Sequence, residues 1–238
     1  MKKNIVVTGG AGRFGKILKE KKFKNFYFPN KHKLNILKPN TMERYLKRKK
    51  AKMVIHLAGL SRPLEKHEKN IEESISLNIV GTCNLVIICQ KLKIKLIYFS
   101  TSYVYPGTKG NYKETDPLLP VNNYSWSKLG GEAAVQMYKN SLIIRACMTE
   151  KPFVHKKAFS DVKLNFIFHE EIIPMMMKIL NKKGVVNLGG PTQTVYNFAK
   201  KYNKKIKKIS IKNLKKINFA KNPSMNLNKL KNIIERKN

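Results

Sequence analysis

Two rhythms of apolar residues alternate along this chain. Short, nearly unbroken apolar runs are followed by longer stretches in which apolar residues recur every three or four positions. The run in KNIVVTGG predicts a buried strand, then a glycine turn, then a helix through RFGKILKEKK that ends in basic residues. KNFYF predicts a second, short strand closed by Pro29, and NTMERYLKRKK a helix opened by Asn40 or Thr41. AKMVIHLAG predicts a third strand, apolar through its centre as a strand covered on both faces should be. Residues 66–91 set Ile75, Ile79, Cys83 and Val86 at helical spacing. IKLIYFSTS predicts a fourth strand, residues 106–123 a loop rich in Gly, Pro and Asp, NYSWSKLGGEAAVQMYKN a helix, and SLIIRA a fifth strand. Strands alternating with helices need crossover connections. The expected fold class is therefore α/β, a Rossmann-like doubly wound parallel sheet.

Beyond residue 145 the rhythm loosens. LNFIFHEEIIPMMMKILNKKG predicts a strand and a helix, with Pro174 in the first turn or at a kink. VVNLGG reads as another strand and TVYNFAKKY as a helix, while the Lys-rich residues 203–238 are expected to be only partly ordered. The expected division is a nucleotide-binding domain over 1–145 and a short lobe over 146–238. No internal repeat is found.

Composition narrows the class. A chain of 238 residues with 42% hydrophobic content can bury one sizeable core. The absence of an apolar run long enough to span a bilayer predicts no membrane partner. The first apolar stretch reaches only from Ile5 to Val7 before the glycines, too short for a signal segment. Cys83, Cys89 and Cys147 match no metal spacing and cannot all pair, which predicts inert thiols, a reducing cytoplasm and no metal site. The net charge of +35 raises nucleic acid as a partner. Yet the 49 basic residues include only six Arg, and the lysines are scattered among abundant Asn and Ile. That pattern reads as a drift of composition, and its consequence is attraction for anionic small molecules.

The glycine turn carries the first candidate chemistry. In TGGAGRFG, Gly9 permits a tight turn, Gly12 lets backbone N–H groups approach a pyrophosphate, and Gly15 lets the helix pack on the sheet. The motif follows a strand and opens a helix, which is the context a dinucleotide site needs. Arg13 and Phe14 complete the turn. No carboxylate ends the second strand, which runs into FPNKHK, and Arg13 projects from the loop. A 2′-phosphate would find cations there, so NADP is favoured over NAD.

YSWSK offers the second candidate, a tyrosine four positions ahead of a lysine. Spacing alone does not select it, because Tyr27/Lys31, Tyr45/Lys49, Tyr105/Lys109 and Tyr196/Lys200 share it with Tyr124/Lys128. The selection comes from a resemblance. TGGAGRFG, HLAG, SLNIVGTCNLV, IYFSTSYVYPG, YSWSK and VNLGG together resemble the extended short-chain dehydrogenase/reductase family of nucleotide-sugar epimerases, dehydratases and reductases. The stretch from STSYVYPG through YSWSKLGGEAAV is most similar to the 4-keto-6-deoxy-sugar reductases of the dTDP-rhamnose pathway, the dTDP-4-dehydrorhamnose reductase type.

The resemblance implies a catalytic set of Thr101, Tyr124 and Lys128. Adding hydride to a ketone builds charge on oxygen, and that oxygen must be protonated. A free tyrosine, with a pKa of about 10, is sluggish at neutral pH. An ammonium one turn away and an oxidised nicotinamide would favour the phenolate. Thr101 would orient the substrate oxygen, and Lys128 would also hold the nicotinamide ribose. Asn35 and Ile36 are implied near the adenine, Leu57, Ala58 and Gly59 along the cofactor, and Asn78 as a helix contact or a packed polar residue. His56, His169 and Met175–Met177 are read as fold residues.

Two departures shape the expected activity. Ser102-Tyr103 stands after Thr101 where the dehydratases carry Asp-Glu, and Ser102 stands where the fucose-type enzymes carry Cys. Dehydration and carbon-acid epimerisation are disfavoured, leaving carbonyl reduction of a nucleotide sugar or 4-epimerisation by transient oxidation. The reductases themselves usually carry Asp at Ser102. Between Arg145 and Phe166 the chain is short and basic, an abridged substrate lobe in which Lys151, His155, Lys156 or Lys157 could hold a diphosphate. A homodimer could complete that lobe. The rival classes are a non-catalytic NADP-binding regulatory protein and an RNA-binding relative.

Overall fold

The computed structural model describes residues 3–213 and 218–235. The chain opens with β1 (Ile5–Thr8), α1 (Arg13–Glu20), β2 (Phe26–Tyr27), α2 (Pro39–Arg48) and β3 (Met53–His56). Then come α3 (Glu65–Lys69), α4 (Ile71–Ile75), a π turn (Ser76–Val80) and α5 (Gly81–Lys91). β4 (Lys95–Thr101), α6 (Asn123–Gln136) and β5 (Ser141–Ala146) follow. These elements match the alternation read from sequence. α2 begins one residue earlier than either expected start, because Pro39 suits a first helical position whose N–H has no partner in any case.

The main sheet has six strands and every pairing in it is parallel. Its order runs β2-β1-β3-β4-β5 and ends on a later strand, β10 (Gly184–Leu188). The chain leaves β1 in one direction toward β2 and returns on the other side as β3. The strand order therefore reverses at β1 and β3, which opens a crevice at their carboxyl ends. All seven residues of β4 are buried, as a central strand covered on both faces requires. On one face Phe14, Leu18, Ile172 and Met176 pack against the sheet, and on the other Met42, Leu46, Leu85, Ile88 and Val135.

The later chain supplies β6 (Met148–Thr149), β7 (Lys157–Phe159), β8 (Lys163–Leu164) and β9 (Ile167–Phe168). After them come α7 (His169–Ile179), β10 (Gly184–Leu188), β11 (Gln193–Thr194), α8 (Val195–Lys200), β12 (Lys207–Ile209) and α9 (Asn228–Glu235). β6 pairs with β9, β7 with β12 and β8 with β11 in two-stranded ribbons over a third core of aromatic residues. A cut at residue 145 does not separate two bodies in chain order: β10 joins the main sheet beside β5, and α7 covers its face. Pro174 lies inside α7, past its first turn. The expectation of partial order over 203–238 is corrected for the described residues. β12 completes a ribbon, Met225 bridges to Tyr112, and Leu230 of α9 is buried in the main core.

The helix over 66–91 differs from its apolar stripe. Ile75 is exposed and Ile79 and Cys83 only half-buried, while Ser74, Asn78 and Thr82 face inward. The inward face is one residue ahead of the stripe on both sides of the π turn, and its polar groups are all bonded: Ser74 to His67, Asn78 to Leu60 and Ser127, Thr82 to His56. Residues 71–91 are long and apolar enough to cross a membrane by composition, yet here they pack beside β4, α2 and α6.

Candidate active site

β1 ends at Thr8 and the chain turns at Gly9, whose φ of 70° is left-handed. A Cβ there would stand 2.5 Å from the Ala58 backbone nitrogen, so only glycine lets this turn lie against the end of β3. Gly12 is different. It is exposed, and a Cβ on it would meet only the Gly9 carbonyl oxygen, at 3.1 Å. No side chain caps α1. The open helix start offers backbone N–H groups to an anion, which fits the pyrophosphate of a dinucleotide. The Phe14 ring is buried in the core against Phe99 and His169, at 5.3 and 5.5 Å, so only its backbone can serve the turn.

Arg13 corrects an expectation. Its guanidinium donates to Ser61 Oγ at 2.8 Å and pairs with Glu150 at 3.2 Å. It is thus engaged on the β3 side of β1, not on the β2 side where a 2′-phosphate was placed.

Across the crevice Thr101 closes β4 and Tyr124 stands in the first turn of α6, a helix capped by Asn122 Oδ1 accepting from Ser125 N at 3.0 Å. The Tyr124 phenol lies near the Thr101 hydroxyl, which accepts from Tyr103 N at 3.3 Å. Burial pushes the phenol above its usual pKa, and the Thr101 hydroxyl, with the charges of Arg62 and Arg13, works the other way. Lys128, one turn on, lies with Nζ 4.2 Å from the centre of the Tyr98 ring. Burial pulls its pKa down to about 7, against the opposing charge of Glu132. The cations that act most strongly on Tyr124 in this arrangement are Arg62 and Arg13.

The remaining expected contacts divide. Leu57 and Ala58 are half-buried and Gly59 exposed along the crevice floor, and Ala58 N donates to Thr8 Oγ1 at 3.2 Å. Asn35 accepts from Leu37 N through its side chain at 2.9 Å, which leaves Nδ2 without a protein partner among the described residues. Ile36 is buried in the core, and a Cβ on Gly81 would come within 2.7 Å of it, so its side chain is a packing element. Asn78 is 1% exposed. Its Oδ1 accepts from Leu60 N at 2.7 Å, and its Nδ2 donates to Leu60 O at 2.9 Å and Ser127 Oγ at 2.8 Å. Both donors are used inside the protein, so Asn78 braces the crevice floor against α6.

His56 bonds Thr8 and Thr82 in the core, as its apolar strand suggested. His169 opens α7, directly after β9. Met176 fills the main core, with Met175 and Met177 packed against it. Of the four basic lobe residues, Lys156 and Lys157 belong to the β7–β12 ribbon, whereas His155 lies within the fields of Arg62 and Glu150.

Three residues near the site carried no sequence signal. Arg62 and Glu150 form an ion pair at 2.8 Å. His67, fully buried, presents its ring edge-on to Tyr124 with centroids 5.1 Å apart. Its carbonyl accepts from Asn123 Nδ2 at 3.4 Å and its Nδ1 meets Ser74 Oγ at 2.7 Å. None sits in a motif. The basic and acidic neighbours of Arg62 and His67 in SRPLEKHEK gave no reason to single them out.

A reversed strand order, a glycine turn and a Thr/Tyr/Lys edge define a Rossmann-like α/β protein of the short-chain dehydrogenase/reductase class. Within that class the chain belongs to the family described as RmlD substrate binding domain, which matches residues 2–153. It is 29% identical over 143 residues to methionine adenosyltransferase 2 subunit beta of Pongo abelii, covering 56% of this chain and 42% of that protein. It is 28% identical over 233 residues to dTDP-D-glucose 4,6-dehydratase of Dictyostelium discoideum, covering 81% of this chain and 52% of that protein. The chain thus spans about half or less of the length of these curated relatives.

The fold agrees with solved structures over nearly all of its length. Against dTDP-4-dehydrorhamnose reductase of Bacillus anthracis in complex with NADP the TM-score is 0.86 at 21% identity, covering 97% of this chain and 91% of that one. Against a hypothetical dTDP-4-dehydrorhamnose reductase of Sulfolobus tokodaii it is 0.84 at 20% identity, covering 98% and 95%. Residues 146–238 are therefore largely included in this agreement.

Proposed function

We propose that the protein is an NAD(P)-dependent reductase of the 4-keto group of a nucleotide-linked deoxysugar. The observation that carries this reading is the approach of the Thr101 hydroxyl to the Tyr124 phenol at the crevice edge, opposite an uncapped glycine turn. NADP is the favoured cofactor, with NAD the alternative. With Arg13 engaged elsewhere, the preference rests on the absence of a carboxylate at the end of β2.

In this reading Gly9, Gly12 and the N–H groups of Arg13, Phe14 and Gly15 would hold the pyrophosphate, Leu57 to Gly59 would line the crevice floor, and Lys128 would hold the nicotinamide ribose. A reduced nicotinamide, when bound, supplies hydride to the carbonyl carbon. Thr101 orients the carbonyl oxygen by donating a hydrogen bond, and Tyr124 delivers its proton to that oxygen. Because burial keeps Tyr124 protonated past neutral pH, the resting group is an acid ready for reduction. The oxidative direction would need the phenolate and should be favoured only at higher pH. Substrate selection is assigned to the lobe side, where His155 lies within the field of Arg62.

The test is NADPH oxidation with a panel of 4-keto nucleotide sugars. Tyr124→Phe should lower turnover about 10²- to 10⁴-fold while dinucleotide binding is retained. Epimerisation would instead interconvert substrates without net NADPH consumption. A binding-only reading also has an observation in its favour: Lys128 rests on the Tyr98 ring and is not among the strongest influences on Tyr124. If Tyr124→Phe changes nothing in any assay while NADPH still binds, that reading replaces the reductase.

A further inference from the structure

Glu150 follows β6 and reaches back over the glycine turn. Its Oε1 lies 3.2 Å from Arg13 Nε and its Oε2 2.8 Å from Arg62 Nη1. Arg13 opens α1 and Arg62 follows β3, so one carboxylate joins the two lips of the crevice where the strand order reverses. Ser61 Oγ accepts from the remaining face of Arg13 at 2.8 Å, which fixes the guanidinium over the turn.

Burial of Glu150 works to raise its pKa, yet the two arginines win and hold the carboxyl below the usual carboxylate range. The group is therefore a full anion at neutral pH. Its partner Arg13 is the first residue of α1, whose uncapped start offers N–H groups to an anion.

A purely architectural role fits poorly. The Arg13 and Arg62 side chains are 44% and 32% exposed, so water competes for every bond they make. Pairs of that kind contribute little to stability. Guanidinium groups nevertheless match the oxygens of a diphosphate as well as those of a carboxylate, and a diphosphate brings more charge and more oxygens.

We propose that Arg13 and Arg62 form an anion clamp for a pyrophosphate group, and that Glu150 occupies the clamp as a displaceable stand-in until that group arrives. The inference rests on the reading of the crevice as a dinucleotide site and deepens it by adding Arg62 and Glu150 to the binding machinery. The pyrophosphate can come from the dinucleotide or from a nucleoside-diphosphate sugar. In either case the ligand takes both guanidinium groups and the Glu150 carboxylate turns to solvent. No covalent bond changes. Glu150 then works as a threshold, since a ligand with less charge than a diphosphate gains too little to displace it.

The experiment uses the full chain and titration calorimetry at low salt with three probes: NADPH, dTDP and inorganic pyrophosphate. Glu150→Gln keeps the size of the side chain and removes its charge. It should bind at least one probe about fivefold more tightly, the scale on which an exposed ion pair competes. Arg62→Ala should bind that probe about tenfold more weakly, the cost of a charge-assisted hydrogen bond. The double variant should be no tighter than Arg62→Ala alone. A gain confined to NADPH assigns the clamp to the dinucleotide, and a gain confined to dTDP assigns it to the sugar nucleotide. A gain for pyrophosphate in a protein that does not bind NADPH keeps the clamp and removes the dinucleotide reading. Equal or weaker binding of all three probes by Glu150→Gln overturns the clamp. So does failure of that variant to fold, because the clamp requires Glu150 to be dispensable to the structure. A wild-type chain that binds none of the probes overturns both readings.

Discussion

Arg145 and Glu150 lie close in sequence and each takes part in an arginine–glutamate contact, but the two contacts do opposite things. Arg145 meets Glu132 at 2.6 Å with side chains 2% and 0% exposed. Arg145 also donates to the Tyr105 hydroxyl at 2.8 Å and the Glu114 carbonyl at 3.0 Å, and Ser100 Oγ donates to Glu132 at 2.5 Å. Each charge is enclosed by partners, and the network ties α6 to β4 and β5. The contact of Glu150 with Arg13 and Arg62 is open to water on two of its three members. Identical chemistry becomes architecture where water is excluded, and an exchangeable contact where water can compete. The buried pair also fixes the tyrosine edge of the crevice, since Glu132 is one turn from Lys128.

The largest effect should therefore come from the buried pair. Glu132→Ala leaves Arg145 charged and enclosed without its partner, and should cost about 3–5 kcal/mol in chemical denaturation. An equal cost for Glu150→Ala would break the comparison. His67→Phe keeps the ring beside Tyr124 but strands Ser74, and should cost about 1–3 kcal/mol. Its turnover should fall more than its dinucleotide affinity, because the change is felt at the Tyr124 edge and not at the glycine turn.

Lys128 sharpens the contrast between edges through pH. Its folded pKa, about 7, is below the ordinary lysine value of 10.5. Between those limits the unfolded chain binds the extra proton, so stability rises with pH across that window. Below about pH 7 both states carry the charge and the folded state bears the cost of burying it. Lys128→Met should melt higher near pH 7 and lose this slope, as read by melting temperature against pH. The smallest effect is expected of Glu150→Ala, at most about 1 kcal/mol in stability.

How much of this was legible depended on what each feature is made of. The glycine edge is backbone, and backbone geometry requires glycines at fixed spacing, so TGGAGRFG announced it. Thr101, Tyr124 and Lys128 were selected by resemblance, since five tyrosine–lysine pairs shared the spacing. Partners joined across long stretches of chain left no trace: nothing in SRPLEKHEK points at Glu150, and nothing in NYSWSK points at His67. The sheet was legible because buried parallel strands must be apolar throughout. The helix over 66–91 turns its apolar stripe outward because its inner face is polar: Ser74 and Thr82, with Asn78 in the π turn between them, are buried and bonded, each one residue before the stripe.

That turn carries a further consequence for how the chain tolerates change. Gly81 N donates to the Ser76 carbonyl, one residue farther along than an α-helix allows. Deleting a single residue from this widened loop would look like a repair toward regular geometry. It would instead give up the widened turn that holds Asn78 inward, and with it the bonds of Asn78 to Leu60 and Ser127. The irregular turn serves Asn78, and insertions or deletions within it should be far less permissible than in the loop over 106–123.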